Sequence, residues 1–249
     1  MVRRFLPLLL LFAPAVAAAQ QDTLIAPRAK GSVSAPVTVY EMSDLQCPFC
    51  RRFAVETFPT IEKEYIKTGK VRWVFVHFPL TQIHQNAAAA AIFATCAMKQ
   101  GKFWPTHDAL YAQQEKWEKL TDPAAFFLSL AGGLGLQRPA LNACLAPPDA
   151  AKIVRSDAAG AIRAGAKSTP TFFIEGGIME GAYPIEAFRH VLDSVVAIDE
   201  KAPSFVQRVV SPRPMVYLER LASVIYELAR QGDAVFLGYP ADFLDDPSV

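Results

Sequence analysis

The chain has 249 residues, 25 of them basic and 24 acidic, for a formal net charge of +1 at pH 7. So even a balance supplies no basic stripe for nucleic acid and no field for an anionic surface, so neither is an expected partner. About 230 residues remain once a leader is set aside, enough for one large domain, or a domain with an appendage, around a sizeable core.

That leader is residues 1–19. Arg3 and Arg4 form a basic start, Phe5 to Val16 is apolar, and Ala17-Ala18-Ala19 offers a small-residue cleavage site. This is the order of a secretory signal peptide. A membrane anchor is the competing reading, but Phe5 to Ala19 falls short of the ~20 apolar residues that span a bilayer, and Pro7 and Pro14 interrupt it. Export to a periplasm or the extracellular space is therefore expected. Without Arg3 and Arg4 the charge becomes −1, 23 basic side chains against 24 acidic.

Residues 20–34 are polar, hold Pro27 and Gly31, and read as an extended lead-in. Val37 to Met42 is a β-branched and aromatic run, the pattern of a strand, broken by Ser43-Asp44. From Pro48 to about Lys67 the pattern is helical, with Gly69 as its stop. Val71 to Phe78 is a second strand, ended by Pro79. A long helical stretch follows over about 84–150. Asn86 to Gln100, Trp104 to Trp117, Asp122 to Leu130 and Arg138 to Leu145 each carry a helix, separated by Gly and Pro. Asp149 to Ala166 is another, weakened by Gly160 and Gly165. Thr171 to Ile174 is a short strand, Glu175-Gly176-Gly177 a hairpin signal, Ile178 to Glu180 the return strand, and Pro184 to Val196 a closing helix. The order is β-α-β, a helical block, then α-β-β-α. Residues 35–198 form one domain on this reading, and 199–249 are a proline-containing linker and tail.

Cys47-Pro48-Phe49-Cys50 lies where a strand, a tight turn and a helix start meet. The thiolate is the attacking species in disulfide exchange, and a helix N-terminus stabilises it with free N–H groups and the positive end of the dipole. Pro48 suits the first helical turn, where its missing N–H would have no partner. Cys47 is then the exposed nucleophile and Cys50, one turn in, the covered resolving thiol. Zinc binding needs two more ligands, and Cys96, Cys144, His77, His84 and His107 show no second paired spacing, so no metal is expected. Haem attachment needs His where Arg51 stands. A purely structural bridge across two residues gains little from cross-linking. The redox-active disulfide Cys47–Cys50 would itself be the working group, with no added cofactor.

Three segments carry a family resemblance: Val39 to Cys50, Gln100-Gly101-Lys102-Phe103-Trp104, and Ser168-Thr169-Pro170-Thr171-Phe172-Phe173-Ile174. The chain from about Ser34 to Ile198 resembles the DsbA-like thiol–disulfide interchange proteins. That resemblance implies an α/β, thioredoxin-like fold with an all-helical insertion between its β-α-β and β-β-α halves. It implies a cis Thr169–Pro170 bond beside the cysteines. The backbone of Thr169 would there pair with a substrate peptide as an added strand, and Pro48, Phe49 and Pro170 would complete the substrate-binding residues. It places a buried acid at Glu41, a proton acceptor for Cys50; the alternative is an outward-facing strand residue. Phe49 stands where the strongest oxidants of the family have histidine, which should make the disulfide less oxidising. Relatives also carry cysteines in the contexts of Cys96 and Cys144. A bridge between them fits an exported chain, closing 48 residues for about 4 kcal/mol.

The expected function is thiol–disulfide exchange with exported proteins, as oxidase, reductase or isomerase, with a membrane or soluble redox partner resetting the site. A peptide-binding or chaperone-like module that keeps the fold without turnover is the alternative. In the tail, Leu218, Leu221, Ala222, Ile225, Leu228 and Ala229 fall on one helical face. That stripe would bury itself on its own domain or on a second copy, giving a homodimer.

Overall fold

The computed structural model describes residues 25–146 and 148–200, with nothing said of the side chains of 198–200. The leader and the tail stripe, with the homodimer expected from it, lie outside the described residues.

Five strands form one mixed sheet in the order β1-β3-β2-β4-β5. They are β1 (Ala29–Lys30), β2 (Val37–Ser43), β3 (Val71–His77), β4 (Thr171–Ile174) and β5 (Gly177–Glu180). β2 runs parallel to β3 from Val37↔Val71 to Ser43↔His77 and antiparallel to β4 with Glu41 opposite Phe172. Held on both sides and covered on both faces, β2 needs the near-continuous run of buried residues that its sequence supplies. β4 and β5 are joined by a two-residue turn with positive φ at Glu175 (48°) and Gly176 (94°), the twist-compatible hairpin geometry.

Helix α1 is continuous over residues 48–66, but it alternates α segments (Pro48–Arg52, Phe58–Ile61) with π turns (Phe53–Thr57, Glu62–Ile66). Pro59 accounts for the first π turn. It has no N–H for the carbonyl four residues back and its ring crowds that carbonyl, so the helix widens and Phe58 N–H bonds Phe53 instead. The widening seats Phe53 among Trp73, Phe172 and Phe188, with ring centroids 5.8, 4.6 and 5.2 Å away. Burying such a ring is worth about 1.5–3 kcal/mol. α8 (Ile185–Glu200) brings Phe188 to the same face of the sheet.

The helical block comprises α2 (Ala87–Met98), α3 (Phe103–Ala112), α4 (Gln114–Trp117), α5 (Ala124–Gly133) and α6 (Arg138–Leu145). Its core of Phe93, Phe103, Trp117, Phe127 and Leu141 is continuous with Phe75 of the sheet and with Cys47 and Cys50. α7 (Asp149–Arg163) covers the opposite sheet face, where Ala161 meets Met42 and Phe78. The fold is thus thioredoxin-like with a helical insertion, as the sequence leads one to expect.

Three details differ from that expectation. The lead-in is not simply extended: a 3-10 turn (Ala26–Arg28) precedes β1, which adds antiparallel to β3 at Ala29↔Val74. Gly31, at φ +91°, ends β1 against the sheet, where an added Cβ would lie 2.5 Å from the Val71 carbonyl oxygen. Ser43 does not break β2 but pairs with His77 as its last residue. The helix expected over Trp104 to Trp117 is interrupted at Gln113 (φ −113°, ψ 17°), which turns α4 so that Gln114 faces the cysteines.

Candidate active site

Cys47 is the N-cap of α1. Its backbone is extended, its carbonyl accepts Arg51 N–H at 3.1 Å, and Pro48 takes the first helical position. The turn leading into it is built on Asp44, which is 1% exposed. The Asp44 carbonyl accepts Cys47 N–H at 3.0 Å. One carboxylate oxygen accepts Gln46 N–H and the other Leu80 N–H, each at 2.8 Å, and the second also meets His84 Nδ1 at 2.7 Å. Gln114 Nε2 donates to the carbonyls of Leu45 (2.9 Å) and Cys47 (3.2 Å). The cysteine turn is therefore held from the loop after β3 and from α4 at once. Asp44 in turn lifts His84 above the ordinary histidine range by hydrogen bonding. Burial opposes the shift, while the charges of Asp44, Cys47 and Glu118 reinforce it.

The two sulfurs are reduced and inequivalent. The thiol of Cys50, as donor, pushes the Cys47 thiol down to about 6; burial resists, and the Thr169 side chain and the N–H groups of Cys50 and Phe49 assist. Cys50 moves the other way, well up, first through burial and then because Cys47 takes the negative charge. A stable thiolate beside a protonated partner is the arrangement disulfide exchange requires. The expected exposure of Cys47 is corrected here. It is only 3% exposed against 0% for Cys50, because Leu45, the insertion and the Thr169 loop close over it. The exposed members of the motif are Pro48 and Phe49, the latter 56% exposed with the Arg52 guanidinium 5.3 Å from its ring centroid.

Thr169 and Pro170 lie beside these cysteines, and the bond between them is cis. Cys47 Sγ donates to the Thr169 carbonyl at 3.4 Å, while Gly181 N–H holds the Pro170 carbonyl at 2.8 Å. Thr169 Oγ1 is buried without a partner among the described residues while Cys47 is a thiol, and it becomes a donor to the thiolate.

Glu41 is buried at 1% exposure. Trp73 Nε1 donates to its Oε2 at 2.8 Å, and its Oε1 has no hydrogen-bond partner among the described residues. Burial raises its pKa, against the His107 charge and the polar side chains of Trp73 and Ser43. Ser43, two residues along on the same face of β2, stands between this acid and Cys50. Its hydroxyl exchanges a 3.0 Å hydrogen bond with Tyr111 OH and helps hold down the Cys50 thiol. Cys96 and Cys144 are joined, with Cα atoms 5.6 Å apart, and tie α2 to α6 within the core cluster that also holds Cys47 and Cys50.

The sequence reading missed Ser43, Asp44, Tyr111 and Gln114 as members of the site. An acid three residues before a helix-starting cysteine carries a local signal, since Asp there closes a turn through its side chain. Tyr111 and Gln114 carry none, because only the fold of the insertion brings them to the cysteines.

A thioredoxin family model matches residues 23–194. The chain belongs to the thioredoxin family. Within it, the similarity is to DsbA-like thiol–disulfide proteins. Over 89 residues, 36% of this chain, it is 34% identical to disulfide bond formation protein D of Bacillus subtilis, of which it covers 40%. It is also 34% identical over 168 residues, 68% of its length, to Na(+)/H(+) antiporter NhaA 3 of Salinispora tropica, of which it covers 24%. The chain thus spans well under half of the curated relatives it matches. Among solved structures it resembles α-DsbA1 of Wolbachia pipientis, with TM-score 0.62 and 26% identity over 70% of this chain and 92% of that one.

Proposed function

We propose that this thioredoxin-family chain is an exported thiol–disulfide oxidoreductase that exchanges disulfides with exported proteins through Cys47-Pro48-Phe49-Cys50. The observation that carries the reading is the asymmetric cysteine pair at the start of α1: Cys47 lowered to about 6, Cys50 raised, and the Thr169 carbonyl against the reactive sulfur. Cys47 forms the mixed disulfide with the substrate, and Pro48, Phe49, Thr169 and Pro170 line the place where the peptide rests. In one direction Cys50 loses its proton through Ser43 to Glu41 and attacks Cys47 Sγ, and the substrate sulfur leaves with the bonding pair. In the other, a substrate thiolate attacks the Cys47–Cys50 disulfide at Cys47, and Cys50 leaves and recovers the proton. A membrane or soluble redox partner resets the pair. The signal-peptide pattern and the Cys96–Cys144 bridge support export, since such bridges persist in oxidising compartments.

Insulin reduction by dithiothreitol tests this. The wild-type protein should speed precipitation of the insulin B chain, and Cys47→Ser should return the rate to that of dithiothreitol alone. Equal rates for the two proteins would remove the oxidoreductase reading and leave a peptide-binding module.

A further inference from the structure

The exchange proposed above moves a proton between Cys50 and a buried carboxyl group, and that proton must reach water. Resting on that reading, we propose that His107 is a positioning residue acting through Glu41: its imidazole pairs with the buried carboxyl group and passes the proton to Asp108 at the surface.

The geometry is as follows. Glu41 lies directly across from Phe75 in the β2–β3 register. His107, on α3, sets its ring edge-on to Phe75 at 5.3 Å between centroids and edge-on to Tyr111 at 4.9 Å. Glu41 and His107 therefore both border Phe75, and each is 1% exposed. Each also keeps a polar atom with no hydrogen-bond partner among the described residues: Oε1 of Glu41 and Nε2 of His107. Buried polar atoms are rarely left so; the two feel each other's charge but stand beyond direct hydrogen-bond distance, so the proton crosses between them by way of a buried water or a side-chain rotation. The other side of the imidazole leads outward. His107 Nδ1 meets Asp108 Oδ1 at 2.8 Å, and the Asp108 side chain is 65% exposed. Asp108 and Tyr111 both line a surface cleft of about 150 Å³ that also receives Lys30 and the widened turn of α1 at Val55, Phe58 and Pro59.

In this arrangement Nδ1–H donates to Asp108 and Nε2 is the acceptor facing inward. When Cys50 gives up its proton, Ser43 passes one to Glu41, Glu41 passes one to His107 Nε2, and Nδ1–H is released to Asp108 and water. No net charge remains in the core, and the reverse sequence refills Cys50. The titratable groups facing His107 are Glu41 on β2, His77 on β3, and Tyr111 and Asp108 on its own helix, while Lys30 on β1 acts on Asp108 and Cys50 on α1 acts on Tyr111. His77 does not compete for the proton, since burial lowers it to about 3.

The test is reciprocal titration by NMR of the His107 ring and the Glu41 carboxyl group in the full chain, comparing wild type, Glu41→Gln and His107→Gln. Glu41→Gln should lower the His107 pKa, and His107→Gln should raise the Glu41 pKa by the same amount, as linkage demands. His107→Gln should also slow reduction of the Cys47–Cys50 disulfide by dithiothreitol at pH 7 by about 10-fold or more, while alkylation of Cys47 in reduced protein keeps its wild-type pH profile. A His107 titration unmoved by Glu41→Gln overturns the pairing. A wild-type reduction profile in His107→Gln overturns the relay. If His107→Gln does not fold, the His107 titration in wild type and Glu41→Gln decides the matter alone. Failure of the wild-type protein to reduce insulin would remove the exchange reading, and it is read separately from the titration.

Discussion

Removing the Cys50 thiol should move Cys47 by an amount that the site sets. In the native dithiol, Cys47 at about 6 means about ten thiolates per thiol at pH 7, whereas an ordinary value of 9.0 would leave about one in a hundred. The first cause of the depression is the hydrogen bond from Cys50. A hydrogen bond to a charged group contributes about 1.5–3 kcal/mol, or about 1–2 pKa units at 1.36 kcal/mol each. Cys50→Ala should therefore lift Cys47 from about 6 into the range of about 7–8, and the thiolate fraction at pH 7 should fall to between about a half and a tenth. Because iodoacetamide reacts with the thiolate, its rate constant against pH reports the inflection directly, and absorbance at short ultraviolet wavelengths checks it. The Thr169 side chain and the N–H groups of Phe49 and Cys50 remain, so the value should not return to 9.0. An unchanged inflection in Cys50→Ala would refute the donor role of Cys50. An inflection near 9 in the native dithiol would refute the whole account of the helix start.

His77 gives a stability measurement. It is neutral in the fold because burial lowers it to about 3 from 6.5, so folding is favoured above pH 6.5 and loses stability as the unfolded chain takes up the proton between pH 6.5 and 3. His77→Gln should flatten urea-measured stability over that window by several kcal/mol, and an unchanged pH slope would contradict the assignment. Replacing Cys96 and Cys144 together by Ala opens the 48-residue loop and should cost about 4 kcal/mol in urea unfolding while leaving insulin reduction intact. Lost exchange in a folded double variant would show that the bridge shapes the site.

The elements that were legible from sequence alone are those with strong local chemistry. β-branched and aromatic runs marked β2 and β3, Glu175-Gly176 marked the hairpin, and glycines marked helix ends. β1 was not legible, because two residues carry no periodicity and their pairing depends on the edge that β3 presents. The alternation of α and π turns in α1 was missed because Pro59 does not end the helix: a widened turn absorbs its missing donor, and aromatic packing around Phe53 holds that turn. At the site, Cys47 and Cys50 were legible from their spacing, and the Cys96–Cys144 pair from context. The closure over Cys47 was not, since it comes from Leu45 and from the Thr169 loop more than a hundred residues away. Glu41, Ser43 and Tyr111 became one polar chain only once α3 was laid against β2.

The position of β2 has a consequence for how the chain reaches its fold. Its β3 partner follows after one helix, but its β4 partner arrives about 130 residues later, beyond the whole insertion. Closing the longer loop costs about 1 kcal/mol more entropy than closing the shorter one, so the β2–β3 pair assembles first. Until the β4–β5 hairpin docks, β2 presents an open row of N–H and carbonyl groups, flanked by Val37, Val39 and Met42. That row is a template for a strand from another chain, and it exposes a half-folded copy to aggregation. The Cys96–Cys144 bridge shortens the hairpin's route by cutting 48 residues from the path between the two strands. A bridge within the helical block thus shortens the time for which the central strand stands open.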